Sequence, residues 1–400
     1  MLWAGAACLR GVADGSGRMK MDSDQVRARW QAALADADAQ SMDHGRDVPS
    51  FFAETVPELG RLGYFGLMVP EEYGGSGYSV AEYVAALQVL GEQDLMAAYS
   101  VNEHSTIGSL PLVEHGTPEQ KDRWLPDIAT GRRLAAFCLT EPASGSDVTS
   151  LATKAVPADG GHHLTGKKIH ISLAHNADLF IVLAEIPREG GKDQKTAFVI
   201  ERGMAGFGHG PENSSPSGYL IPVAGSVELD DCHADESRVL GGIGGGGSIF
   251  RSALEIARVG LASAYVGGAI DALQRCLERA TSRTSFKQPI GEHQLIQAKL
   301  ADMSIGSEAG KLLVAAAAQA IDEGSPDAMA ASARAKVFVT ETVRDIGVEA
   351  VQIFGGQAFL EERRIDWYLR DAKMGEILGG TSEIMRILLA KDLLKKFDGR

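Results

Sequence analysis

The feature that most limits what this chain can become is a helical hydrophobic period that returns after the glycine run Gly241–Gly247 and holds to the C-terminus. Phe250, Leu254, Ala257 and Leu261 recur at spacings of three and four, and the pattern continues through Ala315–Ala318 and the apolar and charged residues after Gln294. A stretch this long hides its apolar stripes only against other helices, so a bundle is expected. A second helical stretch runs from Ser23 to about Arg133, with Trp30, Ala33 and Leu34 on one face, an amphipathic Val80–Leu90 and a loop at Pro70–Gly77. Between the two lie short β-rich runs at Ala136–Thr140, Lys168–Ser172, Leu179–Ala184, Thr196–Ile200 and Ser226–Leu229, separated by turns such as Asp159-Gly160-Gly161.

The expected division is therefore a disordered extension over 1–22, an N-terminal α-helical domain over 23–134, a middle β domain of barrel or sandwich type over 135–243, and a C-terminal α-helical bundle over 244–400. The fold class is α+β. Residues 1–20 lack the apolar stretch of a signal peptide and carry Asp14, which is unusual for a transit peptide; Met19 and Met21 are alternative starts.

Composition sets limits. With 400 residues and 44% hydrophobic content the chain can bury a large core. A net charge of -14 with no Lys/Arg cluster opposes a nucleic-acid partner. The cysteines Cys8, Cys138, Cys232 and Cys276 are scattered, which fits a reducing cytoplasm. No apolar run approaches the ~20 residues of a membrane span.

Several motifs have a plain structural reading and a chemical one. Gly242–Gly247 formally reads G-x-G-x-x-G, but helices follow it and no parallel strand does, so a connection between domains is expected. No metal-ligand spacing occurs among the ten histidines, and there is no G-x-S-x-G elbow. In CLTEPASGSD, Cys138 to Asp147, a strand runs into a turn of small residues whose N–H groups suit a heterocycle or an anion, or simply leave the strand. In Lys168–Ser172 the period of two places Ile169 and Ile171 on one face, and His170 and Ser172 on the other. RTSFKQPI, from Arg283, follows a long helix, and Gly379-Gly380-Thr381-Ser382-Glu383 opens the last one with an N-cap threonine.

Six stretches in order resemble the acyl-CoA dehydrogenase family from about Ser23 to Lys396: GYFGLMVPEEYGG at Gly63, CLTEPASGSD at Cys138, GKKIHIS at Gly166, RTSFKQPIGEHQ at Arg283, VQIFGGQAF at Val351 and RDAKMGEILGGTSEI at Arg370. The resemblance implies a helical domain, a β domain and a four-helix bundle, assembled as a homotetramer or dimer with FAD in a groove shared by two subunits. Leu139 and Thr140 would meet the flavin pyrimidine edge, Ser146 would touch cofactor and substrate, and Ser172 would approach flavin N5. Arg283, Phe286 and Gln294 would extend to the neighbour's FAD, with Gln352, Gly356, Thr381 and Glu383 on the adenine-diphosphate side. Where family members commonly carry Trp beside the isoalloxazine, this chain has His170.

The family removes a Cα proton with a glutamate while hydride leaves Cβ. Its two known positions for that acid correspond here to Gly379 and to Ala257, just before Arg258, so neither is acidic. Glu255 and Arg258 are expected to bind substrate and Glu376 to be structural. Glu103 and His104, on the segment that the resemblance places at the far end of the acyl pocket, are either a candidate catalytic pair or an acid and imidazole satisfied by hydrogen bonds. The leading expectation is FAD-dependent oxidation of a short or functionalised acyl thioester, on CoA or an acyl carrier protein, with an electron-transfer flavoprotein or similar acceptor. IHISLAHNAD and the absent acids resemble the family's biosynthetic branch more than its β-oxidation core. The alternatives are a flavin monooxygenase on the same fold and a non-catalytic subunit of a heteromeric enzyme.

Overall fold

The computed structural model describes residues 21–35, 37, 50–149, 151–210, 224–360 and 364–398. The expected N-terminal extension falls outside them as far as residue 20. Met21 is placed, its N–H donating to Glu82 Oε1 at 3.0 Å, and Asp22 and Gln25 cap the next helix reciprocally.

The N-terminal helices are α1 (Ser23–Ala35), α2 (Val56–Leu62), α3 (Val80–Gln93), α4 (Leu95–Asn102), α5 (Leu110–His115) and α6 (Pro118–Ala129). Capping boxes set the starts of α3 and α6, from Ser79 with Glu82 and from Thr117 with Gln120. Between α4 and α5 the wider i to i+5 winding runs over Glu103–Ser109. Back-bonds from Thr106 Oγ1 to the Asn102 carbonyl and from Ser109 Oγ to the His104 carbonyl accompany it.

The strands β1 (Ala135–Cys138), β2 (Lys154–Ala158), β3 (Gly161–Ser172), β4 (Leu179–Ile186), β5 (Gln194–Glu201), β6 (Phe207–His209), β7 (Ala224–Asp235) and β8 (Val239–Leu240) form one eight-stranded sheet. Its order is β6-β7-β3-β2-β4-β5-β8, with β1 parallel on β4. β4 is buried at every position and reads as an unbroken apolar run because two hydrophobic clusters cover its two faces.

The glycine run makes the expected connection. Gly241, Gly242 and Gly244 take positive φ, and the Gly244 N–H donates to Thr196 Oγ1 at 3.0 Å. The 37-residue α7 (Gly246–Ser282) then begins. After the hairpin of β9 (Thr284–Ser285) and β10 (Gln288–Pro289) come α8 (Gln294–Asp322), α9 (Ala328–Phe354), α10 (Ile365–Gly375) and α11 (Ser382–Phe397). α7, α8 and α9 pack on one another, α10 and α11 pack on α9, and α7 also packs on α3.

By length and composition alone α7 could cross a bilayer. Its most apolar window is 83% buried inside the protein, which makes it the core helix.

Candidate functional site

The strand exit after β1 is held by a buried ion pair. Lys168 Nζ lies 2.7 Å from Glu141 Oε1, with the two side chains 0% and 1% exposed. Glu141 also accepts from the N–H groups of Ala152 and Thr153, and Lys168 donates to the Leu139 carbonyl. Burial pushes the Glu141 carboxyl up, but Lys168 and the two N–H groups outweigh it and hold it below its usual range. Deleting one partner would leave a lone buried charge, a loss of about 3–5 kcal/mol. The pair fixes Leu139 and Thr140 against β3, where the Ile169 N–H donates to the Thr140 carbonyl at 2.9 Å. The Thr140 and Ser146 hydroxyls and N–H groups have no hydrogen-bond partner among the described residues.

β3 departs from simple alternation at this point. A register shift between Lys168 and Ile171 puts His170 at φ 55°, a left-handed conformation that costs a β-carbon-bearing residue about 1 kcal/mol or more. His170 is exposed and Ile171 buried, but the bulge rather than the period of two sets where His170 sits. Ser172 Oγ lies 2.7 Å from Tyr99 Oη.

Beside Ser172 stands Glu103, the first residue of the wide-wound segment. Burial pushes its carboxyl up to about 7, with the Ser172 hydroxyl and the Asn102 amide partly opposing. Tyr83, Tyr99 and Tyr265 surround it, each held protonated by burial first and by the Glu103 charge second or later. The Asn102 amide donates to the Ala257 carbonyl at 3.1 Å, which brings this floor to one of the two positions lacking an acid.

His104, the other half of the expected pair, is engaged elsewhere. Its ring packs edge-on against Phe65 at 4.9 Å, and its Nδ1 accepts the Ala135 N–H at 3.1 Å. Burial pulls it down to about 4, so it stays neutral and fastens the start of β1.

The other position lacking an acid adjoins the first. Arg258 Nε donates to the Gly379 carbonyl at 2.8 Å. Lys336 Nζ donates to the carbonyls of Glu376 and Gly380. Glu376 is occupied structurally, 2.8 Å from Arg344 and 2.7 Å from Lys373. Burial raises the Glu255 carboxyl, with Arg258 opposing. Thr381 caps α11 through the Ile384 N–H, and Glu383 is exposed in its first turn.

The anticipated cofactor residues thus fall into two groups. Leu139, Thr140, Ser146, His170, Ser172, Thr381 and Glu383 gather at the Arg258 end of the molecule. Arg283, Phe286, Gln294, Gln352 and Gly356 lie exposed at the other end, where Arg279 stacks over Phe354 at 5.6 Å. Arg283 is 25 helical residues beyond Arg258, about 38 Å at ~1.5 Å per residue. The two groups therefore lie at opposite ends of α7.

The near group fits a flavin on its own terms: unpartnered hydroxyls and N–H groups at Thr140 and Ser146 lie next to an exposed imidazole at a bulge. Leu139, Thr140, Ser146, His170 and Ser172 would hold the ring system. Sequence reasoning had missed Glu141, Lys168, Tyr99, Asn102 and Lys336. Glu141 and Lys168 carried a faint signal, because both lie inside motifs already singled out.

Family models for the acyl-CoA dehydrogenase N-terminal, middle and C-terminal domains match residues 19–132, 136–232 and 244–394. An acyl-CoA dehydrogenase of Bacillus subtilis is 34% identical over 343 residues, which cover 85% of this chain and 89% of that protein. The human mitochondrial very long-chain specific acyl-CoA dehydrogenase is 35% identical over 339 residues, 83% of this chain but only 52% of the human protein, so the chain spans about half its length. Among solved structures, the prolyl acyl carrier protein oxidase AnaB superposes with a TM-score of 0.84 at 28% identity, covering 93% of this chain and 98% of AnaB.

Proposed function

Because this chain belongs to the acyl-CoA dehydrogenase family, a family of FAD-dependent oxidoreductases, we propose that it oxidises a short or functionalised acyl thioester at Cα–Cβ with Glu103 as the base. The observation that carries this reading is the position of Glu103: a half-buried carboxyl raised toward neutrality beside Ser172 and one residue from the Asn102 bridge to Ala257. Bound FAD supplies the hydride acceptor for the Cβ hydrogen. Glu103 takes the Cα proton in its ionised form, and Tyr83, Tyr99 and Tyr265 shield it from bulk water. Ser172, oriented by Tyr99, lies on the flavin side, while Ser146, Glu255 and Arg258 line the thioester side. Either a CoA or a carrier-protein thioester suits this arrangement, and the likeness to AnaB supports the carrier-protein form. An electron-transfer flavoprotein or a similar protein would serve as the electron acceptor.

Assembly belongs to the same proposal. Phe286 is 90% exposed, and Leu295, Ile305, Leu312, Leu393, Leu394 and Phe397 are 61% to 90% exposed. These faces of α8 and α11 fit a second copy, as a dimer or tetramer, which would bring Arg283, Phe286, Gln294, Gln352 and Gly356 to its neighbour's FAD. The described cysteines Cys138, Cys232 and Cys276 are buried and unpaired, in keeping with a reducing, cytoplasmic setting.

The test is anaerobic mixing of the yellow protein with a panel of CoA and carrier-protein thioesters. The flavin should bleach with a short acyl thioester, and Glu103→Gln should slow bleaching by a factor of about a hundred or more. Bleaching that survives the substitution sinks the assignment of Glu103. Absence of bleaching across the panel sinks the reaction itself.

A further inference from the structure

Arg258 and Lys336 are buried cations with no carboxylate in contact. Arg258 is 8% exposed and Lys336 0%. Arg258 commits Nε to the Gly379 carbonyl, and neither terminal guanidinium nitrogen has a hydrogen-bond partner among the described residues. Lys336 reaches only carbonyl oxygens. Nearby acids are engaged elsewhere or stand off: Glu376 with Arg344 and Lys373, Glu341 with Arg386, and Glu383 exposed on its turn. Glu255 acts on Arg258 through space without an ion-pair contact.

Two like charges under cover destabilise the fold unless a counter-ion arrives. Small residues line one side of Arg258, with the methyl of the buried Met385 beside Gly380. Gly379 and Gly380 bring hydrogens, Ala257 a methyl, and a β-carbon built on Gly380 would lie 3.5 Å from Arg258 Nη2. A guanidinium whose fork is free is the side chain best shaped to take a carboxylate by two parallel hydrogen bonds.

We propose that Arg258, backed by Lys336, is a recognition site for a carboxylate carried on the acyl group of the substrate, so that the preferred thioester is a short dicarboxylic one. The inference rests on the reading above that this cleft takes an acyl thioester. It adds the substrate class: the anion absent from both Gly379 and Ala257 is brought in by the ligand, and Glu103 is left to act on Cα.

The test reads binding rather than turnover. Flavin difference absorbance would give dissociation constants for glutaryl-CoA against valeryl-CoA and for succinyl-CoA against butyryl-CoA, the CoA charges being common to each pair. The carboxylated member should bind at least tenfold tighter, and Arg258→Gln or Lys336→Met should bring the pair within about twofold. Equal affinities in the wild-type protein overturn the site without a variant and leave the oxidation reading standing. Bleaching by uncharged thioesters alone does the same. If millimolar acetate tightens valeryl-CoA binding in the wild type but not in Arg258→Gln, a free carboxylate occupies the site and the substrate-borne version fails.

Discussion

Glu103 carries two predictions of opposite sense. As a base it works only when ionised, so the rate of flavin reduction should rise tenfold per unit up to about pH 7 and then level off. As a half-buried acid it costs stability when ionised. Its folded value lies above the usual 4.5, so its contribution is most favourable below about 4.5 and is lost as the pH climbs through about 7. Glu103→Gln should therefore leave the melting temperature at pH 4.5 nearly unchanged and raise stability above pH 8 by as much as about 3 kcal/mol. Thermal melts at the two pH values check this, and equal shifts at both would mean that Glu103 is not buried as a charge. Lys287 supplies a second test. It and Phe286 are the two central residues of the β9–β10 hairpin, at φ 68° and 50°, a turn that favours Asn-Gly or Gly-Gly. Lys287→Gly should stabilise the protein by about 1 kcal/mol in denaturant titration.

Among the elements, the sequence made α-β-α legible because each period is local: three to four for the bundle, two for the strands. β1, β3, β4, β5 and β7 were each visible in part for that reason. β2 was not, since Lys154–Ala158 is short, contains Pro157 and alternates poorly, and its pairing with β3 and β4 makes it a strand. The tie between Glu141 and Lys168 was equally out of reach, joining motifs 27 residues apart across the sheet. The bulge at His170 hid for a further reason: a period of two contains no sign of where one residue is inserted. Element geometry also separates the two positions that lack an acid. Gly379 sits at φ 63°, so a glutamate there is strained before it touches anything, whereas Ala257 lies inside α7, where glutamate is a good helix former. Ala257→Glu should then confer or increase oxidation of plain acyl-CoA substrates by at least tenfold in an anaerobic stopped-flow assay, and Gly379→Glu should do less and lower the melting temperature. A silent Ala257→Glu protein that still binds thioester would show that the acyl carbons do not lie beside α7.

At the scale of the molecule, the decisive fact is the length of α7. It separates Arg258 from Arg283 by about 38 Å, a separation that no local pattern in the sequence expresses, although every residue at both ends was named from its motif. If the far group serves the neighbour's FAD, each site combines the near end of one chain with the far end of another, and defects at opposite ends should complement. Glu103→Gln disables the near end, and Arg283→Glu the far end. In a mixed dimer one site inherits both defects and the other inherits neither. Refolding or co-expressing the two inactive variants at equal ratio should give half the dimers as hybrids, each with one intact site, so activity per chain returns to roughly a quarter of wild type. Were each FAD held within a single chain, every site in every hybrid would carry one defect, and the mixture would stay as inactive as its parts.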